Sequence, residues 1–72
     1  MFICEHMAIW KDANQMIYIV DYFPWGATPH AYLRLRYPGD SGEVIIYDGP
    51  FTPTDWDRCL TDPLVFFMEH LL

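Results

Sequence analysis

Seventy-two residues carry ten acidic and four basic side chains, a formal net charge of −6, with 53% hydrophobic and 18% aromatic content. So apolar a chain folds rather than staying disordered, and it is short enough to form one domain, residues 1–72. The acidic balance excludes direct contact with nucleic acid or an anionic membrane, both of which need a cationic surface, and suits a basic protein partner instead.

From Phe2 to Trp10 the composition suits a first strand, although its Ala and Met content leaves a helix open. The polar run Lys11-Asp12-Ala13-Asn14 can close a hairpin onto the next segment. Gln15 to Phe23 is rich in β-branched and aromatic residues and is the strongest strand in the chain. Pro24 to Pro29 holds two prolines and a glycine and must be a loop. Ala31 to Tyr37 alternates with period two, with Tyr32, Arg34 and Arg36 on one face and Leu33, Leu35 and Tyr37 on the other. Pro38 to Gly42 is a tight turn and Glu43 to Asp48 a returning strand, whose register is undetermined because both faces are apolar. Asp48-Gly49-Pro50 ends it.

Thr52-Pro53-Thr54-Asp55 supplies a capping hydroxyl, a proline at the first helical position and an early acid. A helix over Pro53–Thr61 follows, and Asp62-Pro63 starts a second helix or kinked continuation over Leu64–Leu72. The spacing of Leu64, Phe67, Met68 and Leu71 makes these its inward stripe. The expected fold is α+β: an antiparallel sheet of three to four strands, with C-terminal helix, as one or two short pieces, packed on the face carrying Ile17, Ile19, Leu33 and Leu35.

So little helix covers one face of such a sheet. The other must present long amphipathic side chains to water, and Tyr18, Tyr22, Tyr32, Arg34, Arg36 and Tyr47 are assigned to it, because each has an apolar body and a polar tip. Tyr, Trp and Arg dominate interface hot spots. These six, with Trp25 in the proline-flanked loop, are the candidate contact surface for a protein partner or a second copy.

Other chemistry is weaker. Cys4, His6, His30, Cys59 and His70 include metal-ligand types, but no spacing matches a zinc site, so a small Cys/His metal protein is a lesser alternative. Cys59 with a histidine lacks any oxyanion loop. Asp55, Asp57 and Asp62 read as acids at helix starts rather than a calcium loop. Gly39 to Gly42 precedes no helix or lysine and is no phosphate cradle. Neither catalysis nor a cofactor is expected, and both cysteines are expected reduced, in the cytoplasm, since no signal peptide or membrane-length apolar run is present.

In size, acidity and aromatic content the chain resembles the small inhibitors of phages and mobile elements, of which the anti-CRISPR proteins are best known. This likeness rests on composition and length, and transfers no site residue. It implies a non-enzymatic inhibitor that binds a host protein or nucleic-acid-handling complex; the alternative is a generic self-assembling or regulatory interaction domain.

Overall fold

The structure is a computed structural model. It describes the backbone of residues 2–4 and 6–71, with side chains described from His6 to Leu71. Five strands follow one another as an antiparallel meander in the order β1-β2-β3-β4-β5: β1 Phe2–Cys4, β2 Met7–Lys11, β3 Ile17–Phe23, β4 His30–Arg36 and β5 Val44–Pro50. Two helices, α1 Pro53–Thr61 and α2 Pro63–Leu71, complete the α+β architecture. Four strands of five to seven residues form the body of the sheet. The segment expected as a single first strand folds on itself, adding the three-residue β1 at one edge through the pairs Phe2↔Ile9 and Cys4↔Met7.

Local chemistry fixes the turns and caps. Between β2 and β3 the Asp12 carboxylate accepts from the backbone N–H groups of Asn14 (2.8 Å) and Met16 (3.0 Å). Gln15 sits there at φ +68°, a left-handed conformation unusual for a residue with a side chain. At α1 a complete capping box forms: Thr52 Oγ1 accepts from Asp55 N–H, and the Asp55 carboxylate accepts from Thr52 N–H. Asp55 thus does what the sequence pattern implied. Asp57 lies beyond the first turn of α1, whereas Asp62 both C-caps α1 and directly precedes α2, its carbonyl accepting from Phe66 N–H; no side-chain hydrogen bond or ion pair engages either carboxylate among the described residues.

Both helices fold back over one face of the sheet. The core joins Ala8, Trp10, Val20, Tyr22, Ala31, Leu33 and Leu35 from the strands to Phe51, Cys59, Phe66 and Phe67. Burying each of the larger side chains contributes about 1.5–3 kcal/mol. Phe67 packs edge-on to Trp10 (6.3 Å) and Tyr18 (5.3 Å), while Trp56 of α1 stacks on Tyr22 at 5.1 Å.

The register corrects three expectations. In β3 the helix face is Tyr18, Val20 and Tyr22, whose partners in β4 are Leu35, Leu33 and Ala31, and Ile17, Ile19 and Phe23 point the other way. Both faces of β3 are apolar, so polarity could not choose between them. Beneath the helices the rings of Tyr18 and Tyr22 meet Phe67, Phe51 and Trp56. Tyr47 also lies on the helix side, opposite Leu33 and edge-on to His70 at 4.8 Å, with its hydroxyl donating to the Pro50 carbonyl. Tyr47 crosses over Gly49, where an added Cβ would meet its ring hydroxyl at 3.1 Å. Finally, α2 turns inward on Phe66 and Phe67, leaving Leu64, Met68 and Leu71 exposed. Leu33 and Leu35 are buried under the helices and Arg34 and Arg36 face away, as the β4 alternation predicts.

Candidate interaction surface

The face away from the helices is built from cross-strand rows. Lys11, Ile17 and Arg36 form one; Ile9, Ile19, Arg34 and Ile45 the next; then Met7, Asp21, Tyr32 and Asp48; and last Phe23, His30 and Pro50. A β-bulge opposite Leu33/Arg34 brings Ile45 onto this face and leaves Ile46 without a pairing partner.

Its centre is electrostatically closed. Arg34 donates through Nη2 to Asp21 and through Nη1 to Glu43 (2.6 Å), and Arg36 donates to the second Glu43 oxygen (2.5 Å). The chain Asp21–Arg34–Glu43–Arg36 alternates in sign and sums to zero. The two guanidinium groups hold the Glu43 carboxyl below the usual carboxylate range, the Arg36 hydrogen bond contributing most. Ile19, which faces away from the helices, is nonetheless only 4% exposed, shielded by its neighbours Ile9 and Arg34. Arg34 and Arg36 therefore roof an apolar strand while their charge is met within the chain. Each keeps one buried Nε–H without a partner.

At one end of the face a run of rings turns round the edge of the sheet, starting at His6, which also meets Tyr22 of the helix side edge-on at 6.4 Å. His6, Trp25, Phe23, Tyr32 and His30 form a continuous run of rings in edge-to-face contact. Their centroids are separated by 5.1 Å (His6–Trp25), 6.1 Å (Trp25–Phe23), 5.5 Å (Phe23–Tyr32) and 5.2 Å (Tyr32–His30). His30 Nε2 then lies 2.5 Å from the Asp48 carboxylate. Edge-to-face pairs are worth about 0.5–1.5 kcal/mol each beyond area burial, so each contact favours this arrangement of the rings over others. Trp25 stays 62% exposed although two rings flank it. It is a large apolar side chain presented to water on a restrained support.

Of the seven residues assigned to this surface from sequence, the structure brings Tyr32, Arg34 and Arg36 together on the open face and sets Trp25 at its end. Tyr18, Tyr22 and Tyr47 are on the opposite side. Tyr18 donates to Asp12 at 2.8 Å; burial and that hydrogen bond raise its hydroxyl pKa, and the same bond leads the lowering of Asp12. Sequence reasoning missed Phe23, His6 and His30 as the supports of Trp25 and Tyr32, and Asp21 as the partner of Arg34. The β3–β4 register places Asp21 beside Tyr32 and Phe23 beside His30, so a correct face for β3 would have exposed all but His6.

Among the described residues no group of three or more metal-ligand side chains converges. Cys59 is a free thiol buried in the core, and burial pushes its pKa up to about 12, which makes it inert at neutral pH. The side chain of Cys4, its expected reduced counterpart, lies outside the described residues. No described helix is long and apolar enough to cross a membrane. No family model, curated protein or solved structure matches the chain.

Proposed function

We propose that this chain is a non-catalytic protein-binding module whose contact surface is the aromatic end of the open sheet face, with Trp25 as anchor. The observation that carries the reading is Trp25 itself, largely exposed and yet braced edge-on by His6 and Phe23. A braced ring gives up little conformational entropy on docking, which makes exposed tryptophan an effective hot spot. Tyr32 continues the platform, and the Asp21–Arg34–Glu43–Arg36 chain forms a polar rim beside it.

The overall charge of −6 favours a partner with a basic surface. Together with the small size, that supports an inhibitory or regulatory mode, in which the module covers a surface its target uses for another ligand. Phage-type inhibitors of nucleic-acid-handling complexes act in this way, and a cytoplasmic setting accords with the unpaired thiol of Cys59. A second copy of the chain is the alternative occupant of the same face.

The test is affinity capture from the host cell with tagged wild type and with Trp25→Ala, partners being quantified by mass spectrometry. A hot spot worth about 2 kcal/mol or more predicts loss of the captured partner by about tenfold or more at unchanged thermal stability. Equal recovery of every partner by the two proteins would refute the assignment.

A further inference from the structure

The helix layer carries a second unpartnered surface, on the opposite side of the sheet. In α2 only Glu69 and His70 are polar, so the helix is apolar nearly all round, a composition that normally means burial on every side. Phe66 and Phe67 satisfy the core. At about 100° per residue, Leu71, Leu64, Met68 and Val65 then fall within about 120° of arc on the outer side. These four are 43–59% exposed. Such a stripe is as wide as the face an amphipathic helix turns to its partner.

What fits there is indicated by the neighbouring charge. Beside the stripe a cleft of about 310 Å³ runs between α1 and α2, and Val65 lines it as well as the stripe. Phe66 and Thr61 line it too, and its charged groups are the carboxylates of Asp57, Asp62 and Glu69 with the guanidinium of Arg58. Three carboxylates against one guanidinium leave a net −2. Arg58 donates to both Glu69 oxygens at 2.8 Å and lies 5.4 Å from the Phe66 ring centroid. The unbalanced charge therefore resides on Asp57 and Asp62, neither of which has a side-chain partner among the described residues.

We infer that the outer face of α2, with the α1–α2 cleft, is a docking groove for a basic amphipathic helix of a partner protein. Its apolar residues lie along Leu64, Met68 and Leu71, and a lysine or arginine enters the cleft between Asp57 and Asp62. A second copy of this chain would match the stripe but bring another net −2 to a cleft that already has an excess of acid. This groove does not depend on the open-face reading, and the two stand or fall separately.

The probe is a synthetic leucine–lysine helix of about 18 residues with leucines at i, i+3, i+4 and i+7, labelled for fluorescence anisotropy. Wild type should bind it. Met68→Ser with Leu71→Ser leaves the charge unchanged and should weaken binding by about tenfold or more, with folding checked by an unchanged melting temperature. Asp62→Asn should weaken it more than Asp40→Asn, which removes the same charge from the β4–β5 turn. Trp25→Ala should bind the probe like wild type, separating this groove from the open face. Three results would overturn the inference: no binding by wild type, binding insensitive to the serines, or equal effects of the two asparagines. A solution dimer that Met68→Ser converts to monomer would do so too, because a second copy would then be the occupant.

Discussion

Phe67 and Met68 are neighbours in sequence, and the amphipathic pattern of α2 reads both as inward. The structure separates them: Phe67 is fully buried against Trp10 and Tyr18, and Met68 is 59% exposed. Truncation to alanine turns this into a measurement. Removing a buried phenylalanine ring forfeits its transfer free energy and leaves a cavity, together about 3–5 kcal/mol. At about 0.05–0.15 kcal/mol per residue, 72 residues give a total stability of roughly 4–11 kcal/mol, so Phe67→Ala removes from about a quarter of it to all of it. For Met68→Ala the expected change is within about 0.5 kcal/mol, since an exposed side chain gives way to the best helix former. Urea unfolding followed by the emission of Trp10 and Trp56, both packed into or against the core, reports each value. A Met68→Ala loss comparable to that of Phe67→Ala would mean that α2 is rotated toward its sequence pattern, and the exposed stripe would vanish with it.

Two further expectations concern ionisation. Cys59, with its pKa raised by burial from 9.0 to about 12, should resist a water-soluble thiol reagent at pH 8 until the chain unfolds. Its contribution to stability is whole below pH 9 and declines as pH rises from 9 toward 12; rapid labelling of native protein would contradict the buried placement. Glu43 and Asp12 have folded-state pKa values below 4.5 and 3.8. The stability each lends is therefore present above those values and lost as pH falls through the depressed ones. Glu43→Gln should flatten the acid limb of the melting-temperature profile, and an unchanged limb would show that the arginine chain does not stabilise the sheet.

How much of this was legible in the sequence depended on whether polarity or shape decided each choice. Thr52-Pro53-Thr54-Asp55 specifies a helix start chemically, and α1 runs over Pro53–Thr61 as expected. Arg34 and Arg36 alternate with Leu33 and Leu35, so hydration alone orients β4. In β3 both faces are apolar, and the choice between tyrosines and isoleucines rests on how rings fill the space under Phe51, Trp56 and Phe67. That is a property of the assembled layers. The same holds for α2, where Phe66 and Phe67 take the core against a pattern favouring Leu64, Met68 and Leu71. Of the candidate surface, the residue types were legible and three of the seven positions were not: Tyr32, Arg34 and Arg36 lie on the open face and Trp25 at its end, while Tyr18, Tyr22 and Tyr47 belong to the other side of the sheet. The two rings that flank Trp25, His6 and Phe23, come from separate segments, and nothing in the sequence pairs His6 with Trp25.

In the proposed mode of action the partner docks on the ring platform at the end of the open face. Hydroxyl-radical footprinting tests it most directly, by comparing the oxidation rates of Trp25 and Tyr32 in the free chain and in the captured complex. Trp25, rapidly oxidised when free because it is so exposed, should become strongly protected, with Tyr32 protected alongside it. An unchanged Trp25 oxidation rate in a complex that demonstrably forms would contradict it.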